Sequence, residues 1–222
     1  MTAYPPPHHL LWDLQLRFDH GDGTSRATMP VVPGLCGHDG RLRAGALTTL
    51  VDVISGGLAA VTAQPNWIAT ADLTLHMTRG ASTGAVEANA RVLRAGRTTV
   101  VIEIDVVDGG GALVALATAS FAVLPRRDIN PDINRVREAG APGTAAPDSG
   151  LTMPYGERLG ITVVDAAQGV VEVPVTDWAR NSMGAFQGGA VGAVLEAAAE
   201  AALRDASGAP LVVTDIHATY LN

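Results

Sequence analysis

Two carboxylates stand inside otherwise apolar, helix-like runs: Asp52 among Leu50, Val51, Val53 and Ile54, and Glu196 among Ala193, Val194, Leu195 and Ala197. A carboxylate in such company is partly desolvated, which raises its pKa toward the range of a general base. Just ahead of Glu196 the chain reads N-S-M-G-A-F-Q-G-G from Asn181 to Gly189. Glycine at the start of a helix lets a substrate approach free N–H groups and the positive end of the helix dipole, an arrangement suited to a developing oxyanion. Each residue also has a structural alternative. Asp52 could be a buried hydrogen-bonding partner, Glu196 a solvated residue in an alanine-rich helix, and Asn181 a loop-shaping residue. Gly188 and Gly189 could serve only helix–sheet packing.

Other chemistries find little support. All 15 basic residues are Arg, which excludes a Schiff-base or P-loop lysine. There is no G-x-S-x-G elbow, and Cys36 lacks the partner pattern of a nucleophile. His38 and Asp39 read as a polar turn, and the lone His76 and His217 do not make a metal site. The run Asp108–Gly111 is a hairpin turn between two strands rather than a phosphate loop.

The elements that must carry Asp52 and Glu196 repeat. The two residues are 144 apart, as are Pro30 and Pro174, Val31 and Val175, Gly40 and Gly184, and Gly45 and Gly189. The first copy reads as a strand pair, or one long strand, over Leu14–Val32 with a turn at H-G-D-G, then a helix from about Ala44 to Ala63. Four alternating, β-branched runs follow. The second copy has a strand around Ile161–Val175, a helix from about Gln187 to Arg204 and a last strand from Leu211. A segment rich in Pro, Gly and Ala separates them. The expected organisation is therefore an N-terminal repeat over 1–127, a linker over 128–150 and a C-terminal repeat over 151–222. One helix laid on an antiparallel sheet makes the class α+β. The strands that follow Arg79 in the first copy have no counterpart after Asn222. We expect the sequence to stop before the natural end of the second copy, the alternative being a sheet completed by another chain.

The net charge of −7 and pI near 5.2 leave no basic surplus for nucleic acid. The single cysteine cannot form an internal disulfide, and the first residues do not form a secretory signal, so a cytoplasmic location is expected. The longest apolar stretch, Ala44 to Val61, is read as too mixed for a membrane span. The low aromatic content, 4%, leans toward an aliphatic rather than aryl-stacking pocket.

The stretch N-S-M-G-A-F-Q-G-G-A-V-G-A-V-L-E from Asn181 resembles the helix motif of PaaI-type hot-dog thioesterases. The first copy from Leu73 to Pro125, with Gly96-Arg97 and the closing A-T-A-S-F, resembles the strands of the same family. The resemblance implies a double hot dog in which one chain replaces the usual dimer. It implies hydrolysis of acyl-CoA or acyl-carrier thioesters, with coenzyme A entering only as part of the substrate and no other cofactor or metal. A homo-oligomer of such double units is the expected assembly. Carried over, Gly188 is the oxyanion donor, Asn181 assists, Gln187 stands in a histidine position, and Asp52 and Glu196 are the carboxylates. The first copy departs from the motif, with Gly37 for Asn, Arg43 for His and Ala44 for the first Gly. Gly188 and Glu196 are roughly 12 Å apart along one helix, at 1.5 Å per residue, too far to share a carbonyl. If the two helices run antiparallel, Asp52 faces Gly188 and Asn181 while Glu196 faces Ala44, giving one competent and one degraded site. Two other readings stay open: a hot-dog hydratase or dehydratase, and a non-catalytic acyl-CoA-binding protein.

Overall fold

The alternating runs become strands because one side of each is apolar and finds a helix to cover. The structure, a computed structural model, describes residues 4–20, 23–127 and 149–221. In chain order these form α1 (Leu10–Asp13), β1 (Arg17–His20), β2 (Thr24–Pro30), α2 (Ala44–Thr62), β3 (Trp67–Met77), β4 (Ala85–Ala95), β5 (Thr99–Asp108) and β6 (Leu113–Leu124). Later in the chain come α3 (Tyr155–Leu159), β7 (Thr162–Asp165), β8 (Val170–Glu172), α4 (Gly188–Ser207) and β9 (Asp215–Thr219). Most of the proposed linker, residues 128–148, lies outside the described residues.

Seven strands make one antiparallel sheet in the order β1-β2-β4-β5-β6-β3-β9, and β7 and β8 form a separate hairpin. On β5, Val100, Ile102, Ile104 and Val106 are buried, as period-two alternation requires. They lie in one core with Leu47, Leu50, Val51, Ile54 and Leu58 of α2. Helix α2 is long and apolar enough to cross a membrane by length and composition, so reading it as too mixed was incorrect; its apolar surface is instead covered by protein.

Helix α4 lies against α2. Glycines at the crossing permit this: a Cβ on Gly189 would come 2.5 Å from the Thr48 carbonyl, and one on Gly45 would overlap the backbone of Ala193. The Thr48 hydroxyl donates to the Gly189 carbonyl at 2.9 Å, a bond between the helices. Gly189 thus serves helix–helix contact, not the helix–sheet packing read from sequence. Strand β3 pairs with β9, placing Leu73 and Leu75 inward with Ile216 and Ala218. On the exposed face His76 pairs with Asp215 at 2.7 Å and His217 with Asp72 at 2.8 Å.

The 144-residue spacing recurs in backbone detail. Short 3-10 turns occur at Pro33–Leu35 and Asp177–Ala179, bridges at Cys36/Leu42 and Arg180/Phe186, and left-handed glycines at Gly40 and Gly184. The strand expected over Ile161–Val175 is instead a short hairpin, turned at Gly169 with φ of 63°. The last strand contracts to β9. Leu195 and Leu203 on α4 are 41% and 48% exposed, whereas Val51 and Ala59, 144 positions earlier, are fully buried.

Candidate active site

Asp52 projects from the third turn of α2 toward the first turn of α4 and is buried. Its Oδ2 accepts the Gly189 N–H at 2.9 Å and the Gln187 side-chain amide at 3.1 Å. Its Oδ1 accepts the Thr70 hydroxyl at 2.9 Å. Thr70 lies on β3 where the pairing with β6 slips between Thr70 and Asp72, an irregularity of the kind that re-aims a side chain. Burial pushes the Asp52 carboxyl above its ordinary range, and the Thr70 and Gly189 bonds oppose that rise only in part.

Gly188 completes the arrangement. A Cβ there would sit 3.0 Å from Asp52 Oδ2 and from the Thr70 hydroxyl, and 3.1 Å from Asp52 Oδ1. Its absence lets the carboxylate and the Thr70 hydroxyl pack closely against the helix N-terminus. Among the described residues no acceptor takes the Gly188 N–H, while the Gly188 carbonyl accepts the Tyr220 hydroxyl at 2.7 Å. All three tyrosines of the chain, Tyr4, Tyr155 and Tyr220, are held well above the usual phenol value, first by burial and also by the charge of Asp52. The low overall aromatic content did not anticipate this gathering.

The equivalent place across the helix pair has the opposite character. Glu196 Oε1 accepts the Ala44 N–H and Oε2 the Gly45 N–H, each at 3.1 Å. One more methylene than Asp52 lets it span both of the first two N–H groups. Arg43 then closes over it, with Nε 3.1 Å from Glu196 and the guanidinium 2.6 Å from Glu200. Burial raises the Glu196 carboxyl, and Arg43 pulls it back. For Arg43 burial works against its charge, but the two glutamates outweigh it and hold the guanidinium protonated.

The structure thus brings Asp52, Gln187 and Gly188 together and sets Glu196 against Ala44. Glu196 is buried and bonded, not solvated. Asn181 is not joined to Asp52 by a hydrogen bond among the described residues. Its side-chain oxygen accepts the Met183 and Ala185 N–H groups at 2.9 and 3.1 Å, so it shapes the loop before α4. Thr70 was missed, since no spacing rule ties a strand hydroxyl to a helix carboxylate. Asp39 accepts the Arg41 N–H in a polar turn, and Cys36 bonds the Val32 carbonyl, its thiol pushed up by burial. Among the described residues no three His, Cys, Asp or Glu side chains group to hold a metal.

An antiparallel sheet packed on one long helix is the hot-dog arrangement. The comparisons with known proteins agree. Residues 40–115 match the model of the thioesterase superfamily. A thioesterase from Haemophilus influenzae is similar in fold, 21% identical over 54% of this chain and 85% of that one, with a TM-score of 0.51. A mutant of a thioesterase from Staphylococcus aureus is 23% identical over 52% of this chain and 98% of that one, with a TM-score of 0.50. The PaaI protein of E. coli is 21% identical over 50% and 80%, with a TM-score of 0.47. Each spans about half of this chain. No curated protein matches it in sequence.

Proposed function

We propose that the chain is a double hot dog that hydrolyses acyl-CoA or acyl-carrier thioesters at one site, built from Asp52, Thr70, Gln187 and Gly188. The observation that carries this reading is the Gly188 N–H, unclaimed among the described residues at a helix N-terminus beside the buried Asp52 carboxylate. A thioester carbonyl seated there receives the Gly188 N–H, which stabilises the oxyanion as the tetrahedral intermediate forms. Asp52 acts as general base on a water, or as nucleophile, and Gln187 and Thr70 hold its oxygens in place. Gln187 takes the motif's histidine position through this contact, while Asn181 supports the loop.

The Glu196 side is read as closed. Its carboxylate occupies both donors that an oxyanion would need, and Arg43 neutralises it. The first repeat, 1–127, supplies the working carboxylate, and the second, 151–222, supplies the working helix N-terminus.

The test is release of free coenzyme A from a panel of acyl-CoA thioesters. Turnover that Asp52→Asn abolishes is the expected result. Absence of release from every thioester would overturn the hydrolase reading. It would favour a second one, an acyl-CoA-binding module without chemistry. That second reading draws on the three donors already bonded to Asp52, and on two surface hollows of about 340 and 200 Å³ that lie elsewhere.

A further inference from the structure

His9 is fully buried and plays no part in the chemistry above, yet it joins two stretches of chain 171 residues apart. Its Nδ1 accepts the Leu11 N–H at 3.2 Å, capping α1. That bond places the ring proton on Nε2, which then donates to the Arg180 carbonyl at 2.8 Å. Arg180 opens the loop that ends in α4. The loop closes on itself through Asn181 N–H to Ala185 and Gln187 N–H to Ala179, at 2.7 and 2.8 Å. Its last residue, Gln187, touches Asp52, and the next is Gly188.

The surroundings reinforce this contact. The ring of Tyr4 packs edge-on against His9 with centroids 5.1 Å apart, and the Trp178 indole donates to Asp13 of α1 at 2.7 Å. Among the described residues the equivalent place in the other half has no such histidine. The residue 144 positions after His9 is Met153, 43% exposed, and the residue 144 before Arg180 is Cys36. Among the described residues the hook is therefore present on the loop that leads to Gly188 and not at its counterpart.

We infer that His9 is a positioning residue: its Nε2–H holds the Arg180 carbonyl and so fixes the loop that presents Gln187 and Gly188 to Asp52. The inference rests on the proposed site. Its two ring nitrogens do different work, and two variants separate them. His9→Asn keeps an acceptor for the Leu11 N–H but is too short for the hook. His9→Gln places an amide N–H near the Nε2 position and forgoes the cap. Loss of one hydrogen bond of about 1.4 kcal/mol corresponds to about tenfold in rate.

The experiment measures kcat and KM on a hydrolysed thioester, with amide hydrogen exchange over residues 185–190 and the melting temperature. The expected result is a fall in kcat of about tenfold for His9→Asn with KM retained, faster exchange in that segment, and recovery of both by His9→Gln to within about twofold. A helix-capping role alone would reverse the order of the two variants and overturn the inference. So would unchanged kcat and exchange in His9→Asn. If the wild type hydrolyses no thioester, the functional reading fails separately, and exchange alone decides whether the hook orders the loop.

Discussion

Gly188 and Gly189 are adjacent glycines at the start of α4, and the surroundings assign them different roles. Alanine at 188 meets two side-chain oxygens of Asp52 and one of Thr70 at 3.0–3.1 Å, atoms that can shift by a few tenths of an ångström. Alanine at 189 meets backbone, the Thr48 carbonyl at 2.5 Å and the Thr49 Cα at 2.6 Å. Neither glycine has a positive φ, so alanine strains neither backbone. Gly188→Ala should therefore fold with a stability change within about 1 kcal/mol, since a better helix former offsets mild crowding. Its methyl crowds Asp52 and Thr70 beside the N–H proposed to meet the thioester carbonyl. Loss of one oxyanion contact corresponds to about 2.7–4 kcal/mol, a fall in kcat of about 10²–10³-fold. Gly189→Ala should instead lose about 1–3 kcal/mol of stability by forcing the helices apart. Release of coenzyme A, followed by a thiol-reactive dye alongside thermal melts, reads both effects. Full activity in Gly188→Ala would show that no reacting carbonyl sits there and would refute the site as drawn.

Asp52→Asn should lower kcat by about 10²–10⁴-fold, the range for a lost general base, while an amide can still meet Gly189, Gln187 and Thr70. The folded carboxyl binds its proton more tightly than the unfolded one at 3.8, so its contribution to stability is present below 3.8 and lost as pH rises through the folded pKa. Melting curves across that window should show this decline in the wild type and a smaller one in Asp52→Asn. Thr70→Val should remove one bond to Asp52 and reduce kcat by about tenfold with little change in KM, measured by the same release assay. Arg43→Met should leave Glu196 buried without its counter-charge and destabilise the fold by about 1–3 kcal/mol in urea titration, discounted for the partial exposure of Arg43, with catalysis at Asp52 retained.

The strongest sequence signals were those with a period. Alternation located β3 to β6, the segment left as a strand pair or one long strand holds β1 and β2, and the apolar run located α2 to within a residue. The motif resemblance, with the two helices taken as antiparallel, set Asp52 opposite Gly188 and Glu196 opposite Ala44, and both contacts are present. Contacts between unlike elements were not legible. Thr70 reaches Asp52 through a slip in strand pairing, and Asn181 turned inward on its own loop because two backbone N–H groups there needed an acceptor. The mixed polarity of Ala44–Val61 also misled, since Asp52, Ser55 and the threonines find partners inside the protein rather than in water.

Each helix N-terminus is met by a carboxylate from the other helix, and both lie on a single polypeptide. A homodimer encoded by one gene must carry the same residue at both positions, so any change that closes one pocket closes its twin. Here the matching positions 43 and 187 hold different residues, Arg and Gln. Under the proposed double hot dog, covalent linkage would let one half close with the Arg43–Glu196 clamp while the other leaves the Gly188 N–H free for the proposed chemistry.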